Sequence, residues 1–572
     1  MKALSMSSSL DSFLAKAHIA YFSMEIAIRS EMRTYAGGLG VLAGDTARSC
    51  ADLELPVVFV TLVSRAGYFR QTIDAQGRQV EEPDYWEPSD FCEPLDALIA
   101  VRIEGRQVWI RPWLYVQTCP LCHQVPILLL DTDLDQNAPE DREITHNLYG
   151  DGDEYRLKQE IVLGIGGIRL LRALGFNVHT YHLNEGHAAL LTLELLNQWK
   201  VLPEDRISGE PSYDIAKVRE QCVFTTHTPV EAGHDRFSYE LFERFLPDFV
   251  ELSSLKQLAG KDRLNMTRLA LNLSDYVNGV ARRHTETTER MFPGYRVHNI
   301  TNGVHAGVWT HDAFARLYQD HFPHWQHEPE ILVRALQLPE AELWRAHLAA
   351  KADLVAKVAE LTGTTLDPAL PVLGFARRMT GYKRPLLLFE DLDRLAKIAT
   401  AYPFQVVMAG KAHPRDADGK EAVRELHEVV RNLAGKITCT FLPDYDMDIA
   451  KTLVAGADVW LNTPLPPFEA SGTSGMKAAL NGGLNLSVLD GWWVEACIEG
   501  VTGWAIGKDG DGGSNHDHAT ALYDKLESVV LPLYHADPER WRWMMKQAIA
   551  NIAYYFNSAR MMRRYAAEAY LR

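Results

Sequence analysis

The residues best suited to chemistry lie in Glu469-Ala470-Ser471-Gly472-Thr473-Ser474-Gly475-Met476-Lys477, a polar loop that runs into a helical pattern and sets a lysine on its first turn. Free N–H groups at a helix start suit an anion, and a lysine amine suits an aldehyde. Gly472 and Gly475 allow a ligand to approach the backbone closely, Ser471 and Thr473 bring hydroxyls, and Glu469 adds a carboxylate at the rim. The combination describes a cradle for phosphate and sugar. A Gly/Ser turn capped by Thr473 or Ser474, with Lys477 in solvent, fits the same pattern, and local pattern alone favours that plainer reading.

Two further segments have anion-binding character. Tyr35-Ala36-Gly37-Gly38-Leu39-Gly40-Val41 is a glycine-rich turn opening a helix, a geometry in which backbone amides converge on a phosphate. A tight strand-to-helix connection has the same signature. Phe375-Ala376-Arg377-Arg378-Met379-Thr380-Gly381-Tyr382-Lys383-Arg384 gathers four cations behind a predicted strand. Arg378 offers a two-pronged fork for phosphate oxygens and Lys383 a point charge, although charge clusters are more often solvated faces. Tyr181-His182-Leu183-Asn184-Glu185-Gly186-His187, Thr225-Thr226-His227-Thr228-Pro229 and Ile300-Thr301-Asn302-Gly303-Val304 complete the polar segments. None of these three marks a site alone. His182 and His187 lack the carboxylate or cysteine pattern of a metal centre, so no metal is expected.

These residues need elements to hold them. Apolar runs of strand length at Ile19–Ser23, Val57–Leu62 and Val125–Leu130 alternate with helical patterns at Leu157–Leu174 and Ala188–Trp199. A second alternating block contains Pro371–Phe375, Phe404–Ala409 and Ala457–Leu461. Alternation of this kind predicts an α/β fold with parallel sheets covered on both faces. Two doubly wound, Rossmann-like domains leave a cleft between the carboxyl ends of their strands, where ligands bind. The expected boundaries are 1–340 for the first domain, 341–365 for a connecting helix and 366–572 for the second, with terminal helices crossing back. Gly164, Gly166 and Gly167 fall within a helical pattern and are read as helix-packing glycines, without the preceding strand of a dinucleotide site.

With 572 residues, 47% hydrophobic and 23% charged, the chain is globular and long enough for two or more domains. A net charge of −17 disfavours nucleic acid and anionic membrane as partners. The stretch Met1 to Lys16 has no signal-peptide pattern and no apolar run approaches spanning length, so a soluble, cytoplasmic protein is expected. Seven scattered cysteines suit reduced thiols. Cys119-Pro120-Leu121-Cys122-His123 has the haem-attachment spacing but is read as a loop with two thiols.

Taken together and in order along the chain, the segments from about Ile19 to the C-terminus resemble the glycogen and α-glucan phosphorylases, in particular the short bacterial and archaeal branch. The resemblance implies the two-domain GT-B glycosyltransferase architecture and a retaining, reversible phosphorolysis of α-1,4-glucan or maltooligosaccharide by inorganic phosphate, giving glucose 1-phosphate. It implies pyridoxal 5'-phosphate carried on Lys477, with Lys383, Arg377, Thr473, Ser474, Gly475 and Tyr445 around it and the cofactor's phosphate as proton shuttle. Arg378 would clamp the substrate phosphate with the amides of Gly38 and Leu39. His227, Asn302, Glu469, Ser471, Gly472 and Glu185 would face the glucosyl unit, so Arg378, Lys383, His227 and Lys477 form the expected catalytic set. A homodimer is implied as well. Asp446 and Ala27 depart from the long animal-type pattern, where arginine and tyrosine stand. Only about eighteen residues precede Ile19, from which no N-terminal control region is expected. A nucleotide-sugar glucosyltransferase of the same architecture, with Arg378 and Lys383 on a diphosphate, and a silent glucan-binding homologue are the alternatives.

Overall fold

The computed structural model describes residues 7–201, 204, 212–510 and 513–571; residues 1–6, part of the N-terminal stretch read above, lie outside it. The fold is α/β. Val57–Leu62 and Val372–Ala376 are buried along their whole length, as strands covered on both faces must be, and their apolar, β-branched composition follows from that.

The larger sheet has ten strands. Its parallel part runs Gln124–Asp131, Val57–Leu62, Ile19–Phe22, Thr180–Asn184, Cys222–Thr225, Tyr276–Gly279, His298–Asn299. An antiparallel extension, built on the 13-residue strand Arg106–Thr118, continues beyond Gln124–Asp131 and escaped the alternation argument. The second sheet has six parallel strands in the order Thr438–Leu442, Gln405–Ala409, Val372–Ala376, Val459–Asn462, Leu484–Val488, Gly503–Ile506. Numbered within the sheet this is 3-2-1-4-5-6, the order of a doubly wound sheet. In each sheet the winding direction reverses beside the first strand, next to Ile19–Phe22 and next to Val372–Ala376. Crevices beyond such reversals are where open α/β sheets bind ligands.

Apolar side chains cover both faces of the larger sheet and form a separate cluster around the second. Trp309, Phe314, Tyr318 and Trp325 belong to that second cluster, so residues from about 304 onward pack with the second sheet although they precede the connecting helix. Helix Glu340–Thr362 ends on Gly363 in the left-handed region at φ 71°, the usual glycine stop. Its buried His347 and Lys351 grip the two oxygens of Asp458 at 2.8 and 2.9 Å, joining the helix to the second sheet. The terminal helix Ser558–Tyr565 returns to the larger sheet, where Met561, Met562 and Tyr565 enter its core and Asn278 Nδ2 donates to the Tyr565 hydroxyl at 2.9 Å.

Of the glycines at 164–167 only Gly164 meets a helical segment, a Cβ there lying 2.7 Å from Leu191 N; Gly167 instead lets the helix close on the sheet, where a Cβ would lie 2.5 Å from the Phe22 ring. Cys119 and Cys122 are free thiols in the hairpin turn after Arg106–Thr118. Among the described residues no cluster of His, Cys, Asp and Glu has the make-up of a metal site, and no helix is long and apolar enough to cross a membrane.

Candidate functional site

The glycine turn is shaped by a carboxylate. Glu25, just past strand Ile19–Phe22, accepts from Ala36 N at 2.6 Å and Gly37 N at 3.0 Å with one oxygen and from the Tyr149 hydroxyl at 2.8 Å with the other. The helix Gly38–Asp52 then begins, and the first-turn N–H groups of Gly38 and Leu39 have no intrahelical acceptor. A Cβ on Gly38 would meet nothing within 4 Å, and one on Gly37 would lie 3.4 Å from Arg378 Nη2. Open space beside free amides thus faces a guanidinium from the other sheet.

Arg378 is solvent-accessible by surface area yet surrounded by protein, which places it in a recess open to water. Burial pulls its pKa down, but Tyr68, Tyr382, Glu25 and Tyr149 more than reverse this and keep it charged. Among the described residues no hydrogen-bond or ion-pair partner engages it. Its three basic neighbours differ. Arg377 meets Glu469 Oε2 at 2.5 Å, Lys383 meets both Glu469 oxygens at 2.8 and 2.9 Å, and Arg384 is spent on the carbonyls of Thr463 and Pro464. Burial alone would raise Glu469, but Arg377 and Lys383 hold it down at about 2. The basic cluster is therefore no solvated face. Arg377 Nε and Nη1, Ser471 Oγ and Asn302 Oδ1 are buried without a partner among the described residues, a costly state for polar groups.

Lys477 lies on helix Ser474–Leu480, with its amine 3.7 Å from the centroid of the Trp309 ring. Trp309 is itself fixed by donating from Nε1 to Asp45 Oδ2 at 2.8 Å. Burial lowers the Lys477 pKa to about 8, with Asp45 opposing and Arg48 assisting. Roughly a tenth of such an amine is neutral at pH 7, against less than a thousandth for a free lysine. The surrounding loop is built by packing. A Cβ on Gly475 would fall 2.2 Å from Asn485 Oδ1, and Gly472 adopts φ 87°, so both glycines are required by the backbone path. Ser474 Oγ accepts from Trp460 Nε1 at 3.0 Å, while Thr473 occupies the N-cap without a side-chain cap bond. Tyr445 is half-buried near Arg377, and the surrounding protein pushes its phenol up. Asp446 accepts from Asp448 N and Ile449 N, capping helix Met447–Gly456.

On the larger sheet, Glu185 leaves strand Thr180–Asn184 at φ 74° and accepts from Gly186 N, His227 N and Thr228 Oγ1 at 3.0, 2.8 and 2.9 Å. Its carboxylate braces the His227 segment. His227 Nε2 lies 2.7 Å from Asn184 Oδ1, and burial holds the ring neutral with a pKa of about 4, against the pull of Glu185. Glu25, Tyr149, Tyr68, Asp45 and Trp309 were not singled out from sequence. For Glu25 the available signal was a carboxylate directly after a buried strand.

A family profile for carbohydrate phosphorylases matches residues 250–501. The chain is 38% identical to a maltodextrin phosphorylase of Thermococcus litoralis over 96% of its own length and 70% of that protein's. It is 33% identical to a glycogen phosphorylase of Aquifex aeolicus, covering 97% and 86% of the two chains. It is 35% identical to a glycogen phosphorylase of Mycobacterium tuberculosis, covering 96% and 70%. The chain belongs to the carbohydrate phosphorylase family.

Proposed function

We propose that the protein is a retaining α-glucan phosphorylase: it transfers the terminal glucosyl unit of an α-1,4-glucan or maltooligosaccharide to inorganic phosphate, reversibly, giving glucose 1-phosphate. The observation that carries this reading is Arg378, a guanidinium without a partner among the described residues that faces the glycine turn across open space. The two sheets are read as Rossmann-like domains of the GT-B kind, meeting at a cleft. The second domain takes in residues from about 304, with the terminal helices from Ser558 returning to the first.

Inorganic phosphate sits between Arg378 and the Gly38 and Leu39 amides, its oxygens held by a bidentate fork and by a helix start. Fixed donors of this kind stabilise the charge that develops as the glucosyl C1 leaves the glycosidic oxygen and meets a phosphate oxygen, and they need no reorganisation at that moment. No enzyme carboxylate pair of the hydrolase type is required. Asn302 Oδ1 and Ser471 Oγ, both lacking partners among the described residues, take glucosyl hydroxyls together with Glu469, Gly472 and the braced His227 segment.

The residues present fit pyridoxal 5'-phosphate. Lys477 has a depressed pKa suited to an aldehyde, and Arg377 presents unpartnered N–H groups beside Lys383, Tyr445 and the helix start at Thr473, Ser474 and Gly475. When bound, the cofactor supplies a phosphate monoester with a second pKa of roughly 6, suited to proton exchange near neutral pH. Family membership supports a cytoplasmic homodimer acting without nucleic acid or membrane. To test the assignment, purified protein is reduced with borohydride and mapped by mass spectrometry. One reduced cofactor on the Lys477 peptide is expected, and unmodified Lys477 in active protein overturns it.

A further inference from the structure

Two loops leave the carboxyl ends of the adjacent strands Val459–Asn462 and Leu484–Val488 and lock together. The first carries Glu469 and Ser471, and the second carries Asp490, Gly491 and Trp492. Asp490 is 2% exposed, and its oxygens accept from different residues: Oδ2 from Glu469 N at 2.8 Å and Oδ1 from Gly491 N at 2.9 Å. Trp492 N donates to Ser471 O at 2.9 Å. The approach is close because residue 491 is glycine at φ 54°; a Cβ there would lie 2.4 Å from Ser471 O and 3.0 Å from Glu469 Cγ. The backbone at both 469 and 471 is thus set by the Asp490 loop, while the Glu469 carboxylate is set by Arg377 and Lys383.

We propose that Asp490 is a positioning residue for glucosyl transfer, fixing through Glu469 N and the Gly491–Trp492 backbone the places at which the Glu469 carboxylate and Ser471 hydroxyl meet the sugar. This rests on the reading that those two groups contact the glucosyl unit. Burial raises the Asp490 pKa to about 7 against the pull of the two backbone N–H groups, and in its charged form, above that pH, Asp490 is a strong, directional anchor. Displacing a substrate-holding group by about 1 Å costs on the order of a hundredfold in rate. Phosphate is held elsewhere, by Arg378 and the glycine turn, so loosening this loop acts on the sugar and leaves phosphate binding alone.

Asp490→Asn keeps the shape but turns an amide N–H toward one of the two N–H donors. On the cofactor-loaded enzyme, kcat for phosphorolysis of maltooligosaccharide is expected to fall at least tenfold, with the KM for phosphate within about twofold of wild type. Ser471→Ala is expected to impair turnover as well. The double variant should cost clearly less than the product of the two single losses, because part of the Asp490 effect runs through the Ser471 contact that the second change removes. Losses that multiply overturn the proposal, as does wild-type kcat in Asp490→Asn. If Asp490→Asn does not fold, Gly491→Ala, which presses on Ser471 O from the other side, takes its place in the cycle with the same outcomes. Ser471→Ala and Glu469→Gln that are both fully active would remove the sugar contact itself and overturn the parent reading with this one. An impaired Ser471→Ala beside an unimpaired Asp490→Asn overturns this inference alone.

Discussion

Replacing Gly38 by alanine separates ligand space from folding space. The added Cβ meets nothing within 4 Å, and Gly38 is the first residue of a helix, so the folded protein accepts the methyl without strain. Removing glycine's freedom in the unfolded chain then stabilises by about 0.4–1 kcal/mol. The same methyl occupies the space in front of the amides assigned to phosphate. Losing one hydrogen bond to a charged oxygen costs about 1.5–3 kcal/mol, a weakening of phosphate of tenfold or more. Gly44→Ala, six residues on, is the control: its Cβ would fall 2.0 Å from Ala27 O, so a loss of about 1–3 kcal/mol is expected with the phosphate KM unchanged. Thermal unfolding and initial rates over a phosphate series read both effects. If Gly38→Ala keeps the wild-type phosphate KM, the glycine turn is not the anion site and the reasoning fails.

Arg378→Lys should lower phosphorolysis at least tenfold while cofactor content stays normal, because an ammonium cannot reproduce a bidentate grip; near-normal rates in steady-state assays would refute the clamp. Reconstitution of cofactor-free protein, followed by absorbance, should accelerate roughly tenfold from pH 7 to 9 and level off above about 8, where the Lys477 amine is mostly neutral. An unperturbed lysine would instead give a steady rise of roughly a hundredfold over that range. His182, His227 and His284 are kept neutral by burial, at about 3, 4 and 4, below the ordinary 6.5. The unfolded chain therefore binds more protons below pH 6.5, and stability should fall as pH drops from 6.5 toward 4, by up to about 1.4 kcal/mol per pH unit for each histidine. Denaturant melts showing no loss between pH 7 and 5 would contradict this.

What the sequence made legible follows from locality. Val57–Leu62 and the helix Glu340–Thr362 appear where their composition places them, because burial on both faces and a helical run ended by glycine are written in consecutive residues. The long strand Arg106–Thr118 alternates buried and half-buried residues with arginines among them, and its half-wet pattern did not register as sheet. Residue types marked Lys477, Arg378 and the glycine turn as candidates, but local pattern favoured a capped turn, a solvated face and a tight connection, and only the family resemblance assigned them roles. What turned Lys477 from a solvated lysine into a buried amine is Trp309, which is tied to Asp45 264 positions away. No local pattern encodes that contact. The division of the cores near residue 304 was hidden for the same reason: the segment holding Trp309 and Phe314 precedes the connecting helix in sequence yet packs behind the second sheet.

The most direct measurement is the fate of the glucosyl unit when cofactor-loaded protein meets maltooligosaccharide with and without inorganic phosphate, followed by phosphorus and proton NMR. Glucose 1-phosphate of the α configuration should form only when phosphate is present, and at least tenfold more slowly when Arg378 is replaced by lysine. Release of free sugar by water, or transfer that proceeds equally without phosphate, would contradict a phosphate held between Arg378 and the glycine turn.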